Sequence, residues 1–232
     1  GKVENDKRIK VQIDWGKAPE GENSAPITIK GSEGSVVTVL AMINNPSEEQ
    51  RKSVTGFVES NGFVSIEAEH FSKNMASSNA SWKLIPGLGR TLSAMHPVPV
   101  TSLRQNPKSG SPVLEYNLYL FSSGEIKVNT FLSPTLNIYN DEGLEFAVSF
   151  DDQDPKIVNM HKDFSSQDWE ESVRNNCRVV TSTHTISTPG NHTLKIWMVD
   201  PGIVLEKIIV QTGELKQSYL GAPESVNISL KK

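Results

Sequence analysis

Apolar residues recur at every second position in several short runs, and Gly, Pro and Asn stand between the runs. That combination restricts the chain to many short antiparallel strands, each with one face on a core. Leu144, Phe146, Val148 and Phe150 alternate with Glu145, Ala147 and Ser149. Leu114, Tyr116, Leu118 and Leu120 do the same, as do Ile126, Val128, Thr130 and Leu132, and Leu194, Ile196 and Met198. Strands at this spacing, without long helices between them, predict an all-β fold, an antiparallel β-sandwich of the jelly-roll kind.

Three local signals refine this. Ser165 and Asp168 have capping-box spacing, and Trp169 and Val173 fall four residues apart, predicting one short helix over about residues 167–176. Asn61-Gly62, between Thr55–Glu59 and Phe63–His70, has the composition of a tight hairpin turn with positive φ at both residues. Asp200-Pro201-Gly202 places Pro and Gly where a type II turn takes them, joining two late strands.

The stretch from Asn44 to Ser53 is polar and without periodicity, and reads as a linker. Before it lie a few extra strands, Ile9–Asp14, Pro26–Lys30 and Val36–Ile43, too few for a sandwich of their own. The division expected is therefore residues 1–46 as partial immunoglobulin-like strands, 47–55 as linker, 56–223 as the sandwich and 224–232 as a C-terminal tail. The opening Gly-Lys-Val, with neither Met nor signal peptide, reads as the start of a piece of a longer protein.

Composition removes several function classes. A net charge of −4 gives no basic footprint for nucleic acid or an anionic membrane, and no apolar run approaches the roughly 20 residues that span a bilayer. One cysteine, Cys177, permits neither an internal disulfide nor a cysteine metal cluster.

From about Gly56 to Pro223 the sequence resembles the C-terminal module of glycoside hydrolase family 115, the xylan α-1,2-glucuronidases. The resemblance is carried by Gly56-Phe57-Val58-Glu59, by Val64 through Phe71, and by Trp82 with Ile85 through Thr91. It continues through Phe131–Asn137, Ala147–Asp152 and His192–Gly202. It implies a parent enzyme that removes glucuronic acid, or its 4-O-methyl ether, from plant polysaccharide side chains. The catalytic domain would lie N-terminal to this sequence, so no catalytic residue is assigned here. The Ile66-Glu67-Ala68-Glu69 strand is also distantly similar to calcium-containing carbohydrate-binding jelly rolls.

The residues supply three candidate constellations. Glu67 and Glu69, two apart on a strand, would share a face and could begin a structural calcium site; the alternative is a solvated face answered by Lys207 or Arg178. Trp82 and Arg90 fall in a Gly/Pro-rich stretch read as loop, where Trp could stack on a sugar and Arg could pair with a uronate carboxylate. Trp169 and Trp197 read as packing residues. Asp151, Asp152 and Asp154 could pair for glycoside hydrolysis, but adjacent acids at a strand end diverge, and the composition is that of a turn.

His70, His96, His161, His184 and His192 show no metal-ligand spacing; His70 and His192 read as strand packing residues. Cys177 reads as buried, and Gly87-Leu88-Gly89 as a loop without a phosphate site. The function expected is that of a non-catalytic accessory module of a secreted or periplasmic glycoside hydrolase. It would bind polysaccharide or acidic oligosaccharide, or complete the cleft of a catalytic domain in the same chain. The alternative is a structural β-sandwich that mediates homodimer contact.

Overall fold

A computed structural model describes residues 11–31, 34–137 and 139–228. The chain divides into two compact units that part between Ser53 and Val54. In the first, β1 (Gly21–Lys30) and β2 (Val36–Asn45) pair antiparallel, from Gly21 opposite Asn45 to Lys30 opposite Val36. The buried Asn45 amide donates to the Ala18 carbonyl at 2.7 Å and ties the preceding turn to the end of β2. Residues 11–14 are irregular rather than strand, and Ile9 and Lys10 lie outside the described residues. The expected linker contains a helix, α1 (Glu48–Ser53), with Glu48 and Glu49 in its first turn and Arg51 and Lys52 in its last. That order suits the helix dipole, but a helix this short has no apolar stripe to betray it.

The second unit is a sandwich of two six-stranded sheets. Sheet I holds β3 (Phe57–Val58), β5 (Lys73–Met75), β8 (Val113–Leu120), β10 (Glu145–Phe150), β11 (Lys156–Asn159) and β13 (Gly190–Met198). Its order is β11-β10-β13-β8, with β3 and β5 sharing the far edge of β8. Sheet II holds β4 (Phe63–Glu67), β6 (Ser81–Ile85), β7 (Ala94–Val98), β9 (Gly124–Leu132), β12 (Arg178–Ile186) and β14 (Leu205–Gln211). Its order is β12-β9-β14-β7-β6, and β4 also pairs with β14. Pairing is antiparallel apart from the short β3–β8 contact. The chain changes sheet at most connections, which is the winding of a jelly roll.

The alternating residues occupy the space between the sheets. Leu114, Tyr116, Leu118 and Leu120 face Ile126, Val128 and Leu132, with Phe146, Val148, Phe150, Leu194, Ile196 and Met198 completing one apolar cluster. The Tyr116 hydroxyl, buried there, donates to the Ala68 carbonyl at 2.8 Å. The Thr130 hydroxyl, on the same inward face, is buried without a hydrogen-bond partner.

The turns come out partly as expected. Asn61 and Gly62 have φ of 54° and 80°, and Ser60 and Phe63 exchange backbone hydrogen bonds around them. The strands they join belong to different sheets, however, so the turn is an arch between sheets and not a hairpin within one. Gly202 does not adopt the positive φ of a type II turn. Its need is steric: a Cβ there would sit 2.7 Å from a methyl of Leu144. At Gly56 both demands coincide, since φ is 76° and a Cβ would lie 2.0 Å from the Asn117 carbonyl oxygen.

The helix is α2 (Ser166–Asn175), one residue ahead of expectation, with Ser165 and Asp168 forming the capping box. It connects β11 to β12, and its buried residue is Ser172. Trp169 packs edge-on to Phe164 at 6.5 Å while Val173 is exposed, so that stripe does not enter the core.

Residues 214–228 form an irregular strap. Leu215 and Ala222 pack on Phe131, Cys177, Ile209 and Phe63 over the outer face of sheet II. Ser225 then donates to the Ser65 carbonyl at 2.9 Å, and Val58 to the Val226 carbonyl at 2.9 Å. Residues 224–228, expected as a tail, are therefore stitched along the edges of both sheets.

Candidate functional site

The candidate residues are organised by β14 and by the strap lying over it. On β14 the Ile208 and Val210 side chains enter the core, while Lys207 and Ile209 point outward. Glu67 is the cross-strand partner of Lys207, and both are almost fully buried, at 4% and 3% exposure. Their side chains meet at 2.8 Å. The second Glu67 oxygen accepts from the Thr91 hydroxyl at 2.7 Å. Val64, Ile66 and Ala68 face the core as expected.

β4 ends at Glu67, and Glu69 lies in the following turn, half-buried, so the two carboxylates do not share a strand face. With an ammonium already on Glu67, these residues do not fit a calcium ion. Of the two cations proposed to answer Glu67, Lys207 does so. Arg178 instead lies over the Phe164 ring at 4.2 Å. Among the described residues, no cluster of three or more histidine, cysteine or carboxylate side chains could hold a metal ion.

Trp82 is not a loop residue. It sits on β6, 1% exposed, and its indole N–H donates to the Pro112 carbonyl at 3.2 Å. The Gly/Pro-rich run that suggested a loop begins only after Ile85, where β6 ends. No sugar can stack on this ring, which is a core residue.

Arg90 does lie in that loop, half-buried. Its Nε donates to the Asn175 carbonyl at 2.9 Å and a terminal nitrogen donates to the Tyr219 carbonyl. The guanidinium also stacks on the Tyr219 ring at 4.4 Å, so Arg90 joins the end of α2 to the strap.

Beside Arg90 a groove of about 420 Å³ runs over the outer face of sheet II, walled by the strap. Phe131 and Val179 supply apolar surface, while Asn129, Gln211, Lys216 and Arg90 supply polar groups. Asn129 donates to Gln211 at 3.2 Å and accepts from the Thr181 hydroxyl at 2.8 Å, which fixes the direction of both amides. Among the described residues, no Asp or Glu lines this groove. Such a surface can meet the C–H face of a sugar while answering its hydroxyls, and its two cations favour an anionic substituent.

The other candidates disperse. Asp151 accepts from His192 at 2.8 Å and from the Thr193 amide at 2.8 Å, whereas Asp154 faces Lys108 and Asp152 stands in solvent near Lys195. The three acids serve separate partners and make no hydrolytic pair. His192 is on β13 as expected, but His70 follows the turn after β4 and meets Glu224 at 2.8 Å. Cys177 is buried, and loss of solvation pushes its thiol up to about 12. A polar residue that sequence reasoning missed is Glu206 on β14, buried and accepting from the Ser133 hydroxyl at 2.7 Å, its carboxyl raised above the usual range by desolvation.

Two antiparallel six-stranded sheets wound as a jelly roll place the second unit in the class of β-sandwich modules. Residues 56–224 match the glycosyl hydrolase family 115 C-terminal domain, and the chain belongs to that family. Among solved structures it is similar to a family GH115 4-O-methyl-α-glucuronidase with specificity for decorated arabinogalactans, at 18% identity and a TM-score of 0.52. The match covers 67% of this chain and 18% of that one, so this chain corresponds to a small part of that enzyme's length. A family 35 carbohydrate-binding module from Clostridium thermocellum aligns over 63% of this chain and 97% of its own, at 14% identity and a TM-score of 0.44. The C-terminal family 6 module of a Zobellia galactanivorans laminarinase aligns over 64% and 98%, at 14% identity and a TM-score of 0.41. No curated protein sequence matches.

Proposed function

We propose that the sandwich is a non-catalytic accessory module of an α-glucuronidase-like enzyme, and that it touches polysaccharide through the groove on the outer face of sheet II. The observation that carries this reading is the composition of the groove: apolar Phe131 and Val179, oriented amides at Asn129 and Gln211, and two cations with no carboxylate among the described lining residues. The ligand class is a plant polysaccharide, or an oligosaccharide from it, that bears acidic substituents. The GH115 relative acts on decorated arabinogalactans, which makes these a probe alongside glucuronoxylan. The catalytic domain would be elsewhere in the same polypeptide, and a polysaccharide substrate places the enzyme outside the cytoplasm.

Calorimetric titration with acidic arabinogalactan and glucuronoxylan oligosaccharides tests this. Saturable heat that weakens roughly tenfold in Gln211→Ala or Lys216→Ala supports it, one lost charge-assisted bond being worth about 1.5–3 kcal/mol. No heat at millimolar ligand sinks it. The weight then passes to a structural module that holds two copies or two domains together. That reading draws on Arg90, which spends two donors on the module's own carbonyls.

A further inference from the structure

An ammonium has three hydrogens to place, and burial makes each unplaced one costly. Lys207 has three oxygen acceptors: Glu67 at 2.8 Å, the Leu220 carbonyl at 3.3 Å and the Ala222 carbonyl at 3.3 Å. The carboxylate belongs to β4, the first long strand of the sandwich. The two carbonyls belong to the strap, where no strand pairing satisfies them. Ala222 receives a second bond at the same oxygen, from the Ser65 hydroxyl at 2.9 Å. One buried positive charge thus gathers a carboxylate and two main-chain carbonyls from segments more than 150 positions apart in sequence. Carboxylate and carbonyl oxygens are the donor types a hard metal ion collects.

We infer that Lys207 is a tethered cation that pins the strap to sheet II, in the position where a bound metal ion would otherwise be needed. Being covalently attached, it makes the pinning independent of any ion in the medium. Ser218, Gly221 and Ala222 also wall the groove, so Lys207 is a positioning residue for that wall. This last step alone rests on the groove being the sugar contact.

The experiment compares the wild type with Lys207→Met and with the double variant Glu67→Gln, Lys207→Met. The readouts are thermal unfolding and amide hydrogen exchange across residues 214–224, without sugar. Lys207→Met strands the Glu67 carboxylate, and the melting temperature should fall by roughly 6–20 °C. The double variant leaves no charge at positions 67 and 207, so most of that loss should return. If Lys207 does the pinning, strap amides should still exchange roughly tenfold faster than in the wild type. Should Lys207→Met fail to fold, the double variant decides. Wild-type melting and strap protection should be unchanged by millimolar calcium or by EDTA. Strap exchange at the wild-type rate in the double variant, or wild-type protection lost on chelation, overturns the inference. Because no readout uses sugar, a module that binds none leaves the test intact.

Discussion

The two sides of the sandwich are finished by different means. On one, the edge strands β3 and β4 are covered by the strap, which exchanges backbone hydrogen bonds with Val58 and Ser65 and carries Glu224 to the Glu67 amide at 3.0 Å. Trp82 fills the interior on that side, and Asn74 of β5 donates to its carbonyl at 3.0 Å, drawing the sheets together. On the other side β11 and β12 are both terminal strands, and a groove of about 480 Å³ opens between them. There Lys156 reaches across to the Thr183 carbonyl at 3.0 Å, with Lys162 and Arg178 also lining the groove. One edge is closed by chain and the other is guarded by charge, two established ways of keeping a sheet from recruiting further strands. Closure by chain carries packing energy; guarding by charge carries very little. Stability should therefore be distributed unevenly across the fold.

The largest expected effect comes from removing the closure. A chain ending at Gly213 loses the Ala222 and Leu215 contacts and leaves the Lys207–Glu67 pair open to water, and it should lose more than about 5 kcal/mol, most of a domain's stability. A cooperative wild-type-like transition in that truncation, followed by circular dichroism, would break the comparison. On the same side, Trp82→Ala should cost about 3–5 kcal/mol in urea unfolding, because the ring is core and leaves a cavity. A loss below about 1 kcal/mol would put the indole back at the surface.

On the open side the effect depends on pH. His184, buried on β12 against Phe150 and bonded to Ser182 at 2.8 Å, is lowered to about 4 by desolvation. The unfolded chain takes up this proton near 6.5 and the folded one only near 4, so the unfolded state binds more protons in between. Stability should fall by on the order of 2–3 kcal/mol as pH drops from 6.5 to 4, and His184→Gln should flatten that part of the profile. An unchanged slope in the variant would assign the loss elsewhere. The smallest effect belongs to the charged edge: Thr181→Lys, an exposed position on β12, should alter unfolding at pH 7 by no more than about 0.5 kcal/mol.

This division also explains what could be read in advance. Strands β8, β9, β10 and β13 have inward faces that are largely apolar, with Thr130 and His192 as polar exceptions, against a more polar outer face, so their alternation is plain in the residues. β14 is buried on both faces because the strap lies on it, and Leu205-Glu206-Lys207-Ile208-Ile209 has no period to show. Its two charges read as surface until the strap is in place. The strap has no periodicity, since its bonds go to edges far away in sequence. Trp82 reads as loop because Gly/Pro punctuation follows directly after Ile85, and the five residues of β6 before it are too few to show a period of their own. Glu67 is legible as a carboxylate on the face away from the core, with Lys207 or Arg178 to answer it, but the choice between those cations is a matter of sheet register, which single residues do not encode.

Cys177 has a practical consequence. The thiolate is the reactive species, and a buried thiol held near 12 offers almost none of it at neutral pH. The wild-type chain is therefore a silent background for thiol chemistry. A cysteine introduced at exposed Lys216 or Val179 would take up a spin label or fluorophore selectively, turning the strap and the open edge into separately addressable reporters without first deleting a native residue.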